Sequence, residues 1–250
     1  MAVFQWDHGG SSFETAGVGQ APMKILLKTK DDKWLLRRWF EHHRQLVGDE
    51  NLIIFDHGST DPDVLAFYRE IGDRVAVFVF DKNSIDSVHN TTRFSSLYRS
   101  LREVCDYFCF LDTDEELRLF DEDLSLIPNE DFLDTVREAF SQGGAFLPTL
   151  WLQNTHRSEN SFLMRGETDL LFALKWGKPI LRTAHLPEGL INHNVQVAAL
   201  TKHVSCFGGF MVYHLKSLIP EQRIAANEQK LKAFGLVPRE ATAYSDEAGH

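Results

Sequence analysis

MKILLKTKDDKWLLRRWFEHHRQLVGDENLIIFDHGSTD, residues 23–61, sets two short apolar runs around one striped segment and ends in an acidic turn. The first run, 23–29, suits a strand covered on both faces, where apolar residues need not alternate with polar ones. Leu35, Leu36, Trp39, Phe40, His43, Leu46 and Val47 then recur at helical spacing and form one buried stripe. Asp31 and Asp32 open this helix, because acidic groups favour its positive end, and Gly48 closes it. NLIIFD, 51–56, is a second strand running into the turn HGST.

The same rhythm continues outward. A helix over Asp63–Ile71 is closed by Gly72, RVAVFVF (74–80) is a third strand, and a helix from about Asp86 to Val104 leads to DYFCFLD (106–112), the fourth. Alternating strands and helices predict an open α/β sheet with helices on both faces. Such sheets bind ligands beyond the carboxyl ends of their strands, near a switch in strand order. The second half predicts a helix at about 130–141, a strand at 144–152, a polar loop at 153–167 and strands near 168–173, 178–182 and 207–214. Ser217 caps a last helix that runs to Phe234, with Gly235 and Pro238 beyond it. Residues 23–235 are expected to form one domain, after a Gly- and Ser-rich flexible leader (1–22) and before a tail (236–250).

The chain has 250 residues, 43% of them hydrophobic, enough for one large core. A formal charge of −10 disfavours nucleic acid as the main partner. No run approaches the ~20 apolar residues of a membrane span, and no signal-peptide pattern is present. Cys105, Cys109 and Cys206 read as buried thiols rather than a disulfide framework or a zinc site. A cytoplasmic protein is expected, compatible with peripheral contact at the inner membrane surface.

Asp112, Thr113, Asp114, Glu115 and Glu116 follow directly on the apolar FCFL. Residues i and i+2 of an extended chain point the same way, so Asp112 and Asp114 are expected to face one point above the sheet edge. Paired carboxylates need a proton or a cation between them, and hard oxygen donors suit Mg²⁺ or Mn²⁺. A solvated acidic loop is the plainer alternative.

Together, residues 23–61, DYFCFLDTDEEL (106–117), WGKPIL (176–181) and GGFMVYHLKSLIPEQRIAANEQKLKAFG (208–235) resemble GT-A glycosyltransferases, especially family 2 and family 92-like enzymes. The resemblance implies a Rossmann-like α/β/α sandwich on a mostly parallel mixed sheet. Residues 23–115 would then form the nucleotide-sugar half and 116–235 the acceptor half. The implied activity is metal-dependent transfer of a hexose from a nucleoside diphosphate sugar, by default a UDP-sugar, to a hydroxyl of a saccharide or glycoconjugate. The outcome would be inverting, as in polysaccharide assembly.

By the same resemblance Asp56 binds the nucleoside, with Thr29 and Asp32 lining its pocket; a turn-capping role is the alternative for Asp56. Asp112 and Asp114 form the "DXD" motif on metal and diphosphate, Glu115 orients the loop or approaches the sugar, and His214 is a third metal ligand. Lys178 and Lys216 would meet phosphate oxygens, and His193 is a weaker ligand candidate. Trp151 and Trp176 offer faces for a sugar ring, the core being their commoner place. Glu188 and Asp169 are candidate general bases, but the Glu-Asp pair that carries the base in many family 2 enzymes has no clear counterpart here. Two other functions stay open, a nucleotide-sugar-binding protein without turnover and a sugar-phosphate nucleotidyltransferase. KTKDDKW lacks the glycines expected of the second.

Overall fold

A computed structural model describes residues 3–6, 12–80, 88–121, 123, 125–155, 162–163, 176–193, 209–215, 218–221, 224–225 and 228. The first half forms β1 (Val3–Gln5), α1 (Ser12–Thr15), β2 (Ala21–Thr29), α2 (Leu36–Val47), β3 (Leu52–Asp56), α3 (Pro62–Ile71), β4 (Ala76–Val79), α4 (Ser95–Val104) and β5 (Cys105–Asp112). Then come β6 (Glu115–Leu119), α5 (Phe132–Ser141), β7 (Phe146–Leu147), β8 (Leu150–Asn154), β9 (Phe162–Leu163), β10 (Ile180–Arg182) and β11 (Phe210–His214).

The main sheet has the order β1-β4-β3-β2-β5-β10-β7. Strands β1, β4, β3, β2 and β5 pair in parallel, while β10 runs antiparallel to both β5 and β7. From β2 the chain builds outward through β3 and β4, then returns to lay β5 on the other side of β2. The switch point of the sheet therefore lies between β2 and β5, and a crevice opens at their carboxyl ends.

Alternation along the strands feeds two cores. Ile25, Leu27, Ile54 and Leu111 pack with Trp39 and Phe40 of α2, Phe67 of α3 and Phe140 of α5. Leu26, Phe55, Phe108 and Phe110 pack on the opposite face with Leu97, Tyr98 and Leu101 of α4. The result is the expected three-layer α/β/α sandwich with a mostly parallel mixed sheet.

A second sheet, β6-β11-β8-β9, stands beside the first. It is tied down by His43 on α2, which is fully buried. The Nδ1 of His43 lies 2.8 Å from the Trp39 carbonyl, and its Nε2 accepts from Leu117 N–H at 3.1 Å. An imidazole with one donor and one acceptor nitrogen satisfies both contacts only while neutral. Burial holds it in that form, far below its ordinary pKa.

Several boundaries differ from expectation. Of the expected leader, residues 3–6 and 12–22 belong to the fold: β1 extends the parallel sheet, and Trp6 and Phe13 are buried in the α4-side core. Helix α2 starts at Leu36, since Asp31 and Asp32 are used in the preceding loop, and α4 starts at Ser95 rather than near 86. The strand expected at 144–152 is two strands in different sheets, parted at Pro148-Thr149. Glu115 and Glu116 of the acidic run belong to β6 and are buried, unlike the solvated loop that was the alternative for them, and β9 falls within the expected polar loop. The strand near 168–173 and residues 236–250 lie outside the described residues. So does most of the last helix, of which Pro220, Glu221, Ile224, Ala225 and Glu228 are helical. No helix among the described residues is long and apolar enough to cross a membrane.

Candidate active site at the switch point

The end of β2 and the turn after β5 meet at the switch point. Lys28 and Asp112 are register partners there, and Thr113 Oγ1 donates to Thr29 Oγ1 at 3.0 Å. Thr29 follows Leu27 toward the α2 face, whereas Asp112 follows Phe110 toward the α4 face. The crevice thus has two walls of different chemistry.

On the α2 side, β3 ends in Asp56, which is 2% exposed. Its Oδ2 accepts from Ser59 N–H at 2.8 Å, and its Oδ1 accepts from Ser59 Oγ at 2.5 Å and from the Tyr68 hydroxyl at 3.3 Å. Burial and the Asp56 charge hold the Tyr68 phenol well above its ordinary range. Asp56 is therefore a turn-capping residue, as its position before HGST allowed, and its carboxylate is largely committed within the protein. Asp31 locks this turn to the β2–α2 loop. Its Oδ1 accepts from Thr60 N–H at 2.6 Å and Asp61 N–H at 2.8 Å, while its own N–H donates to Ser59 Oγ at 2.8 Å. Asp32 accepts from Leu35 N–H at 3.2 Å, a contact that shapes the approach to α2.

On the α4 side, Lys178 is 1% exposed and reaches Asp112 Oδ2 at 2.9 Å, Asn192 Oδ1 at 3.2 Å and Glu115 Oε2 at 3.6 Å. Its backbone is pinned by Thr149 Oγ1, which donates to the Lys178 carbonyl at 2.8 Å. Burial opposes both charges of the Lys178–Asp112 pair, yet their attraction wins. The carboxyl of Asp112 is held well below its usual range and the ammonium of Lys178 above its own. Glu115, 2% exposed, accepts from Asp112 N–H at 2.8 Å. Burial raises its pKa, Lys178 offsets this in part, and Asp112 adds to it.

Asp114 sits in the turn between β5 and β6. Pairing of β11 with β6 sets His214 opposite Glu115, and Leu215 N–H donates to the Asp114 carbonyl at 2.6 Å. This brings His214 Nε2 to 3.3 Å from Asp114 Oδ2, with the Trp151 ring centroid 5.1 Å from the imidazole. The chain turns at Thr113-Asp114, so Asp112 lies against Lys178 while Asp114 lies against His214. Among the described residues no group of three His, Cys, Asp or Glu side chains is placed to hold a metal.

Glu188 is exposed on a loop clamped to the segment before α4. Thr91 N–H donates to the Gly189 carbonyl at 2.9 Å, and Thr91 Oγ1 to the Pro187 carbonyl at 2.7 Å. Trp176 is 41% exposed, its ring 5.4 Å from that of His193, whose Nδ1 lies 3.1 Å from the Trp176 carbonyl. Asp169 and Lys216 lie outside the described residues. Sequence reasoning missed Asn192 and His89 at this site, which carry no local signal, and gave Thr113, inside Asp-Thr-Asp, no role of its own.

Strand order and switch point together define an open, mostly parallel α/β sheet with an acidic turn at its crevice. No protein-family model and no curated protein matches the chain. Among solved structures it is similar to Staphylococcus aureus TarS 1–349, with 13% identity and a TM-score of 0.45 over 78% of this chain and 61% of that one. A second TarS structure is spanned over only 36% of its length. Glucosyl-3-phosphoglycerate synthase from Mycobacterium tuberculosis, in complex with Mn²⁺, UDP and glucosyl-3-phosphoglycerate, shares 16% identity. Its TM-score is 0.44, over 97% of this chain and 91% of that one.

Proposed function

We propose that this chain is a glycosyltransferase that moves a hexose from a nucleoside diphosphate sugar to an acceptor hydroxyl. One observation carries the proposal: a buried lysine–carboxylate pair and a carboxylate–imidazole pair flank the switch point, where an α/β sheet takes its ligand. The nucleoside would lie against the loops locked by Asp31, Ser59 and Asp56, beside Thr29. A UDP-sugar is the first donor to test.

The donor set fits a divalent ion in part. Asp114 Oδ2 and His214 Nε2, 3.3 Å apart, pair a carboxylate with an imidazole, donors that suit Mn²⁺ or Mg²⁺, and would hold the ion beside the diphosphate. The ion would stabilise negative charge on the leaving diphosphate. Lys178, which keeps Asp112 ionised, would bring a positive charge near that leaving group.

In the transfer, the acceptor oxygen bonds to the anomeric carbon as the carbon–oxygen bond to the β-phosphate breaks. The hydroxyl proton passes to a base, and the electron pair leaves with the nucleoside diphosphate. Glu188 and Asp169 remain the candidates for that base. Inversion and a saccharide or glycoconjugate acceptor follow the resemblance in the sequence.

The test is a melting-temperature screen of nucleotides and nucleotide sugars with and without Mn²⁺, followed by donor hydrolysis with the best binder. A metal-dependent shift with one nucleoside diphosphate is expected, lost in Asp114→Asn while the unliganded melting temperature holds. Binding without hydrolysis or transfer would favour a silent binding protein, and release of pyrophosphate from NTP with a sugar phosphate would favour a nucleotidyltransferase. Normal transfer by Asp114→Asn would overturn the site.

A further inference from the structure

His89 is 4% exposed, and among the described residues neither of its ring nitrogens has a hydrogen-bond partner. A buried polar atom without a partner destabilises a fold by roughly 1–3 kcal/mol. Two on one ring, in a chain that satisfies both nitrogens of buried His43, mark a place where something is missing.

The surroundings say what would fit. The His89 ring meets Phe110 edge-on at 4.8 Å, two residues before Asp112 on the same face of β5. Its backbone is fixed to the segment that supplies Asn192, since Ile191 N–H donates to the His89 carbonyl at 3.0 Å and Asn192 in turn holds Lys178. The charges felt at the ring are those of Lys178, Lys28, Asp112 and His193. Burial first, then the two lysines, push its pKa down to about 3, so the imidazole is neutral at any working pH.

A neutral imidazole offers one donor and one acceptor. An ionised phosphate oxygen could take only the donor and would leave the other nitrogen unpaired. A hydroxyl can donate to one nitrogen or accept from the other, and a sugar carries several.

We infer that His89 binds a hydroxyl of the transferred sugar and so sets which nucleotide sugar the protein accepts. This rests on the glycosyltransferase reading above. The His89 imidazole is then unpaired only in the unliganded protein, and its partner arrives with the donor.

The experiment compares wild type, His89→Phe and His89→Asn by calorimetric titration with Mn²⁺. The probes are UDP, GDP and dTDP, and the glucose and galactose conjugates of each. The expected result is that His89→Phe binds the free diphosphate as wild type does but the conjugate at least tenfold more weakly, with partial recovery in His89→Asn. Its unliganded melting temperature should equal or exceed that of wild type, because an apolar ring replaces two unpaired nitrogens. Unchanged conjugate binding, or equal loss for conjugate and free diphosphate, overturns the inference. So does a lowered melting temperature in both variants, which would mean that the imidazole serves the fold. Wild type binding none of the probes overturns the glycosyltransferase reading, and this inference with it.

Discussion

Lys178 Nζ lies 2.9 Å from Asp112 Oδ2, across 66 residues of sequence, and joins the two halves of the chain at the sheet's switch point. Breaking a buried pair leaves one charge uncompensated, at about 3–5 kcal/mol for full burial; Asp112 is 38% exposed, so about 2–3 kcal/mol is expected for Lys178→Met. Chemical denaturation measures it. Transfer should fall 100-fold or more. The double variant with Asp112→Asn should recover much of the stability but none of the activity, because in the proposed function both charges serve the reaction.

Glu116 makes stability depend on pH in acid. It is 2% exposed and accepts from Arg38 Nε and from Arg118, both at 2.6 Å. Burial works against its ionisation, but His42 and the two arginines lower its pKa to about 2 from an ordinary 4.5. The unfolded chain then holds a proton that the folded chain does not, so the contribution of Glu116 is complete above about 4.5 and is lost as pH falls toward about 2. Glu116→Gln should be less stable than wild type by roughly 2–3 kcal/mol at pH 6, and the gap should close toward pH 2. Urea titrations across that range read the difference; a gap independent of pH would exclude the ion-pair account.

Asp31 adopts a left-handed backbone, φ 50°, while its side chain ties down two amides of the neighbouring turn. Conformation and hydrogen bonds can be separated. Asp31→Gly relieves the backbone but loses the bonds, whereas Asp31→Ala loses both. Alanine should cost about 1 kcal/mol more than glycine, and both should weaken the proposed nucleotide binding several-fold by freeing the Thr60 and Asp61 amides. Melting curves and UDP titration measure the two effects.

Much of this was legible in the sequence, for identifiable reasons. Strands β2, β3, β4 and β5 are apolar runs bounded by glycines and acids, so their periods name them directly. Gly48 and Gly72 end α2 and α3 as expected, at φ 89° and 60°. The acidic turn was legible in residue type but not in geometry. Alternation along an extended chain does not carry through it, because the chain turns at Thr113-Asp114 into β6, and β6 exists only because β11, nearly a hundred residues on, pairs with it. Separation along the chain also hid Asp112 as the partner of Lys178, 66 residues away. His89 was invisible because nothing local distinguishes a buried imidazole with partners from one without.

The amino-terminal segment escaped for another reason. Trp6 and Phe13 are isolated among Gly and Ser, too sparse for a periodic signal, yet each meets a preformed apolar surface. Trp6 stacks on Phe80 at 5.3 Å and stands edge-on to Phe78 at 5.5 Å and Phe55 at 6.1 Å, while its backbone N–H donates to the Val79 carbonyl at 3.0 Å. The ring is 5% exposed, so Trp6→Ala should cost about 3–5 kcal/mol, an effect a flexible leader could not produce. Removing residues 1–18 would also strip β1 from β4 and bare an edge strand open to pairing with other chains. That truncated chain should exchange the β4 amides faster than wild type and aggregate on warming, which hydrogen exchange and light scattering measure. An unchanged melting temperature in Trp6→Ala would return the segment to the role of a leader.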